Sequence, residues 1–158
     1  MLSVGPLIDG HRELINKSIR ENWAGPFIVT RGRLHDTRED KGFVASDGGD
    51  VAGYLLYDVS NGDLEITVLE SLRERIGAGS ALLRAAVDTA KAAGCRRVWL
   101  ITTNDNTRAI RFYQKFGFSL RAVHINSMNE ARRLKPRIPL EGIDGIPILH
   151  EFEFEIML

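Results

Sequence analysis

Cysteine is almost missing from this chain: Cys95 stands alone among 158 residues. A single thiol excludes an intrachain disulfide and any multi-cysteine metal site, so no metal is expected and a reducing, cytoplasmic setting fits. An excess of either charge is missing too. Lys plus Arg number 21 and Asp plus Glu number 21, for a net charge of zero. Bulk charge therefore gives no reason to expect nucleic acid, and only a local basic patch would supply such a contact. Apolar runs fall far short of a bilayer span, so no membrane partner is expected. The opening "MLSVGPLIDGHREL" lacks the charged, apolar, small-residue order of a signal peptide. No repeat, low-complexity tract or linker divides the chain. What is present is ordinary: 44% hydrophobic and 27% charged residues, in a length that suits one domain with a real core. Residues 1–158 are expected to form that one domain.

Periodicity places the elements. "HRELINKSIRENWAG" (11–25) reads as an amphipathic helix with Leu14, Ile15, Ile19 and Trp23 near one face, ended by Gly25-Pro26. "FIVTRGRL" (27–34) reads as a strand and "HDTREDK" (35–41) as a polar loop. "GFVAS", "DVAGYLLYDVS" and "DLEITVLE" read as three antiparallel strands joined by "DGGD" and "NGD" turns. An alanine-rich helix follows (80–94), then a strand (95–103), a short helix (107–116) capped by Asn106 and stopped by Gly117, and a strand (118–125). "SMNEARRLK" is expected to form one or two helical turns, and 136–147 a Pro/Gly loop. Last, "HEFEFEIML" alternates, with Phe152, Phe154, Ile156 and Leu158 on one face and Glu151, Glu153 and Glu155 on the other, towards solvent. The expected fold is a mixed α/β domain around one central sheet.

Chemistry concentrates in "RERIGAGSALL" (73–83), a G-x-G turn between an apolar strand and a helix. No lysine follows Gly79, which excludes a Walker A loop, and Leu82 stands where a dinucleotide fingerprint needs Gly or Ala. A bare G-x-G is equally a tight corner. Its position, however, exposes the unpartnered first amides of a helix, with glycines that let an anion approach and Arg73 and Arg75 at the rim.

A second motif, Asn106-x-x-Ala109-x-x-x-Tyr113-x-x-x-Gly117-Phe118, follows after a helix and a strand. The pair, in this order, resembles the GNAT superfamily of acyl-CoA-dependent N-acetyltransferases over roughly residues 43–124. The resemblance implies a GNAT fold: a single mixed, mostly antiparallel sheet with splayed central strands and helices on both faces. It implies acetyl-CoA as cosubstrate, with the pantetheine arm along Val68, Leu69 and Glu70, the pyrophosphate on Arg75, Ile76, Gly77, Ala78, Gly79 and Ser80, and Asn106 as a further contact. The family motif is usually written Arg/Gln-x-x-Gly-x-Gly/Ala; this chain departs from it with Glu74 in the first position. The reaction implied is direct attack by a neutral primary amine, of a small molecule or a peptide, on the thioester. Tyr113 is then the acid for the departing thiolate, a backbone amide near Val68 or Leu69 holds the oxyanion, and Glu65 on the central strand is a candidate base. His124 is a lesser candidate. Arg132, Arg133, Lys135 and Arg137 lie in a long loop expected to border the acceptor groove. The alternative is an acyl-CoA-binding or sensor module of the same fold without transfer. Edge strands permit a homodimer, which the family often forms.

Overall fold

Turn chemistry and strand length decide which segments lie side by side. The computed structural model describes residues 1–23, 25 and 27–158. β1 (Leu2–Pro6) leads through a short 3₁₀ turn into α1 (Arg12–Trp23), followed by β2 (Phe27–Thr30) and β3 (Arg33–Asp36), which form a two-stranded hairpin of their own. β4 (Lys41–Asp47), β5 (Asp50–Ser60) and β6 (Asp63–Ser71) make an antiparallel meander. Asn61 and Gly62, between β5 and β6, both take positive φ (54° and 79°), as a tight two-residue hairpin requires. α2 (Ala78–Ala92) then crosses over to β7 (Arg97–Thr103), which runs parallel to β6. α3 (Thr107–Phe116), β8 (Ser119–His124), α4 (Ser127–Leu134) and β9 (Glu151–Met157) complete the chain. The large sheet has seven strands in the order β1-β4-β5-β6-β7-β9-β8. Among the described residues, only the β6–β7 pair is parallel.

Helices cover both faces. α2 buries Leu82, Leu83, Ala86 and Ala90 against Leu55, Leu64, Ile66, Val98, Leu100 and Phe154, and Tyr113 of α3 joins this layer. On the opposite face Ile15 and Ile19 of α1 pack on Val44, Tyr54, Leu56 and Val68. Each fully buried Leu or Ile contributes on the order of 2 kcal/mol, so the two layers fix the sheet between them.

The β6–β7 pairing positions the site. It runs from Asp63↔Arg97 to Ile66↔Leu100 and then stops, although both strands continue. The central strands therefore splay at their carboxyl ends, as the family resemblance implies. A β-bulge in β6 lies at the same place: Leu56 pairs with Val68 and Tyr57 with Ile66, leaving Thr67 as the extra residue.

Several expectations change. Strict alternation on β6 puts Leu64, Ile66 and Val68 on one face, but the bulge turns Val68 to the α1 side. "FIVTRGRL" is not one strand. Arg31 and Gly32, with φ of 52° and 73°, turn it back, and β3 takes up part of the expected polar loop. β1 was missed because "LSVGP" offers too short a pattern. Leu14 of α1 is exposed, while Ser18 is buried to accept a hydrogen bond from the Tyr54 hydroxyl at 3.0 Å. The Pro26 stop lies outside the described residues. Glu151 and Glu153 do not face solvent, being 1% and 4% exposed, because the β2–β3 hairpin covers that side of β9, with Arg31 reaching both. No helix among the described residues is long and apolar enough to cross a membrane.

Candidate active site

A cavity of about 650 Å³ occupies the splay. One wall is the end of β6 (Thr67, Val68, Leu69, Glu70), and the other is β7 with the start of α3 (Ile101, Thr102, Thr103, Asn106, Ala109, Tyr113). Because neighbouring strand residues point to opposite faces, an opening between two strands reaches both sides of the sheet. Tyr113 and Ala109 come from the α2–α3 side; Trp23, Thr30 and Glu151 come from the α1 side. Two molecules can thus approach one point from opposite faces.

The amides expected to receive a pantetheine chain, at Val68, Leu69 and Glu70, lie beyond the last β6–β7 pair, on the edge left open by the splay. Burial pushes the Glu70 carboxyl up, and a hydrogen bond from the Trp23 indole N–H (3.3 Å) partly opposes this. Tyr113 is 9% exposed and held by the rings of Phe112, Phe118 and Phe154. Burial, and next the charge of Glu70, push its phenol up, so it stays protonated at neutral pH. Asn106 lines the cavity and caps α3, its Oδ1 accepting from the Ala109 N–H at 3.3 Å.

The glycine turn stands at the edge of this site. Residues 71–77 are exposed, and α2 begins at Ala78 rather than Ser80. The two glycines do different work. Gly77 needs its φ of 82°. At Gly79 an added Cβ would lie 3.0 Å from the Phe112 ring, so this glycine serves the approach of α3. Arg75 adopts a φ of 66°, and Arg75, Ile76, Gly77, Ala78 and Gly79 border none of the main cavity. Ser80 lines a second, open groove of about 620 Å³ with Arg84, Phe112, Lys115 and Phe116. Arg73 is not a free rim cation, since it bridges Asp47 (3.3 Å) and Asp50 (3.0 Å) at the β4–β5 turn.

The carboxylates are placed unexpectedly. Glu65 is buried beneath the β2–β3 hairpin, accepting from Arg33 Nη2 and Thr30 Oγ1 at 3.3 Å each, and does not line the cavity. Burial raises its pKa, opposed first by Arg33 and then by His35. Glu151 does line the cavity and accepts the Arg31 backbone N–H at 3.3 Å to each oxygen. Sequence alternation found its face but not its cover. His124 turns to Glu153 at 3.1 Å, and Arg97 gathers Asp63, Glu153 and Glu155 into one network.

The long loop after α4 roofs the α1 side. Lys135, Arg137, Ile138, Pro139 and Ile148 line the cavity, while Arg132 donates to the Pro139 and Ile148 carbonyls and Arg133 pairs with Glu130. Lys135 donates to the Trp23 and Phe27 carbonyls, and burial lowers its pKa. Asn104 and Asp105 pin the loop: Asn104 Oδ1 accepts from the Leu149 and His150 amides at 2.9 Å, and Asp105 Oδ2 accepts from the Ile143 amide at 3.3 Å.

A splayed parallel pair with a helix amino terminus beside it is the fold that the family resemblance implies. The model of the acetyltransferase (GNAT) family matches residues 11–118, and the chain belongs to that family. It is 37% identical over 155 residues to the uncharacterized protein YdhI of Bacillus subtilis (strain 168), covering 98% of this chain and 97% of that one. Its fold is similar to that of the IAA acetyltransferase from Bacillus cereus ATCC 14579, with TM-score 0.71, 20% identity and all of both chains covered. It is also similar to a GNAT family acetyltransferase from Elizabethkingia anophelis with acetyl-CoA bound, at TM-score 0.71 and 16% identity over 99% and 98% of the two chains.

Proposed function

We propose that this protein transfers an acetyl group from acetyl-CoA to a primary amine by direct attack in a ternary complex. The observation that carries this reading is the cavity in the β6–β7 splay, open to both faces and bordered by Val68, Leu69, Glu70, Asn106 and Tyr113. Those amides among Val68, Leu69 and Glu70 that point away from β5 would pair with pantetheine as an added strand, and one of them would hold the developing oxyanion. The amides at the start of α2, from Arg75 to Ser80, suit the pyrophosphate. The groove beside Ser80, lined also by Arg84, Lys115, Phe112 and Phe116, suits the nucleotide end of the cofactor. Tyr113 is protonated and sited to give its proton to the departing thiolate.

The acceptor enters from the α1 side, between Trp23, Thr30, Glu151 and the Ile138–Ile148 roof. The structure gives no support to Glu65 as the group that touches this amine, since its carboxylate is turned to Arg33 and Thr30 outside the cavity. Titration calorimetry with acetyl-CoA tests the first half of the reading, and thiol release on an amine panel tests the second. Micromolar binding with amine-dependent thiol release is expected. Binding without release on any amine would favour a sensor module, and no binding at high micromolar concentration would end both readings.

A further inference from the structure

The amine that attacks a thioester must lose a proton, and the cavity offers a hydroxyl, at the bulge where β6 leaves β7, with a carboxylate and an imidazole behind it. Thr67 is the extra residue of the β6 bulge and lines the cavity. Its Oγ1 donates to Asp40 Oδ2 at 2.8 Å. Asp40 is buried and does not line the cavity. Both its carboxylate oxygens lie 2.9 Å from His35 Nε2. The His35 side chain is 18% exposed against 8% for Asp40, so the chain of groups runs from the cavity, through the protein, towards solvent.

From this geometry we infer that Thr67, Asp40 and His35 form a proton relay that serves as the general base of the reaction. Thr67 touches the acceptor and is the catalytic residue; Asp40 is the proton's destination, and His35 positions the carboxylate and passes the proton outward. The inference rests on the acetyl-transfer reading above.

The step balances as follows. The amine lone pair forms the N–C bond, and the carbonyl π pair moves to oxygen. The N–H proton passes to Thr67 Oγ1 while the Thr67 hydroxyl proton passes to Asp40 Oδ2. When the carbonyl re-forms, the C–S bond breaks with its pair on sulfur, which takes the Tyr113 proton. One amide and one thiol leave. Asp40 then passes its proton to His35 Nε2 in the tautomer that leaves that nitrogen bare, the Nδ1 proton leaves to solvent, exchange with solvent restores the tautomer, and Tyr113 regains a proton from solvent.

The bulge is the reason that this works. In an unbroken ladder residue 67 would be paired with β5; displaced by the bulge, it stands at the point where β6 leaves β7. The surroundings bear on when Asp40 is ionised. It faces His35 from β3 and Thr67 from β6, with Asp58 of β5 nearby and Arg12 of α1 donating to its main-chain oxygen at 2.8 Å. Glu65, with its partner Arg33, lies beyond His35. Burial raises the Asp40 pKa, and the hydrogen bonds from His35 and Thr67 oppose that without cancelling it. A base of raised pKa accepts a proton more readily than a surface carboxylate does.

The test uses the full chain with acetyl-CoA and three acceptors: 2-phenylethylamine, spermidine and an alanine-initiated tripeptide. Thr67→Val and Asp40→Asn are expected to lower kcat about 100-fold with acetyl-CoA affinity unchanged by calorimetry, and Thr67→Ser to stay near wild type. The wild-type kcat should rise with pH and level off above the Asp40 ionisation; in Asp40→Asn the levelling should vanish. If the wild type acetylates an amine and Thr67→Val keeps its kcat, the relay is overturned. Should Asp40→Asn fail to fold, the Thr67→Val and Thr67→Ser pair decides alone. If the wild type binds acetyl-CoA but releases thiol with no amine, the transfer reading falls, and the relay falls with it.

Discussion

Tyr113 is held by what surrounds it. Three phenylalanine rings pack on the side chain and burial keeps the phenol protonated on the cavity wall, which suits the acid role proposed for it. Tyr113→Phe keeps every ring contact and removes only the proton. Turnover is therefore expected to fall by about 100-fold, in the range of general acid catalysis, with acetyl-CoA affinity unchanged in calorimetry; undiminished turnover would remove Tyr113 from that role. Glu74 acts differently. It is exposed on the glycine turn, and Arg73, which looks from sequence like its counter-charge, is held by Asp47 and Asp50. A pyrophosphate held on this turn, as proposed, would meet its like charge. An exposed charge contact is worth up to about 1 kcal/mol, so Glu74→Gln should tighten acetyl-CoA binding by up to about fivefold at low salt. The gain should shrink in high salt; weaker binding by the variant would mean that Glu74 organises the turn.

At the scale of elements, the sequence was most legible where one rule acted alone. The Asn61-Gly62 hairpin, α3 with its Asn106 cap and β5 follow from turn chemistry, capping and length. It was least legible where tertiary contacts override a local period. Thr67 is an ordinary alternating residue until the ladder with β5 slips by one, and nothing in "DLEITVLE" announces that slip. The glutamates of β9 read as a solvent face because their cover comes from a hairpin 120 positions away, whose Arg31 N–H reaches Glu151. Asp40 and His35 sit in a segment that reads as a polar loop, so the relay could not be assembled from sequence. The roof over the acceptor side shows the same long-range dependence. At Gly142 an added Cβ would stand 1.9 Å from Asp105 Oδ2, the atom that accepts from the Ile143 amide. Gly142→Ala must push Asp105 aside and loosen the loop that carries Ile138, Pro139 and Ile148. A rise in acceptor KM is expected, with acetyl-CoA affinity unchanged. Overpacking of this kind costs about 1–3 kcal/mol, and at about 2–4 °C per kcal/mol for a chain of this size the melting temperature should fall by several degrees. An unchanged KM would show that the roof does not shape the acceptor side.

The molecule as a whole carries a tension between stability and the site. Four of its buried or half-buried carboxylates are shifted, in two directions. Glu153 is pushed up by burial, but the hydrogen bonds from Arg97 and His124 outweigh this and leave its pKa lowered. It adds stability above its unfolded pKa, and that contribution is lost as pH falls through the lowered value. Asp40, Glu65 and Glu70 are raised, each chiefly by burial. For these the sign reverses: the folded state binds protons more tightly than the unfolded chain, so stability present below the unfolded pKa is lost as pH rises through the folded one. Ionising Asp40 in the folded state therefore works against folding, as is common for groups kept for chemistry. Asp40→Asn removes that opposition while its amide can still accept from Thr67 and donate to His35. The variant should melt higher than the wild type at pH 8, and the difference should close as pH falls below about 4, where the ordinary aspartate is protonated in both states. Combined with the expected loss of turnover, this would mark Asp40 as a group kept ionised for function. A variant that melts lower than wild type at every pH would instead show that the Thr67–Asp40–His35 bonds are needed to hold the β2–β3 hairpin to the sheet.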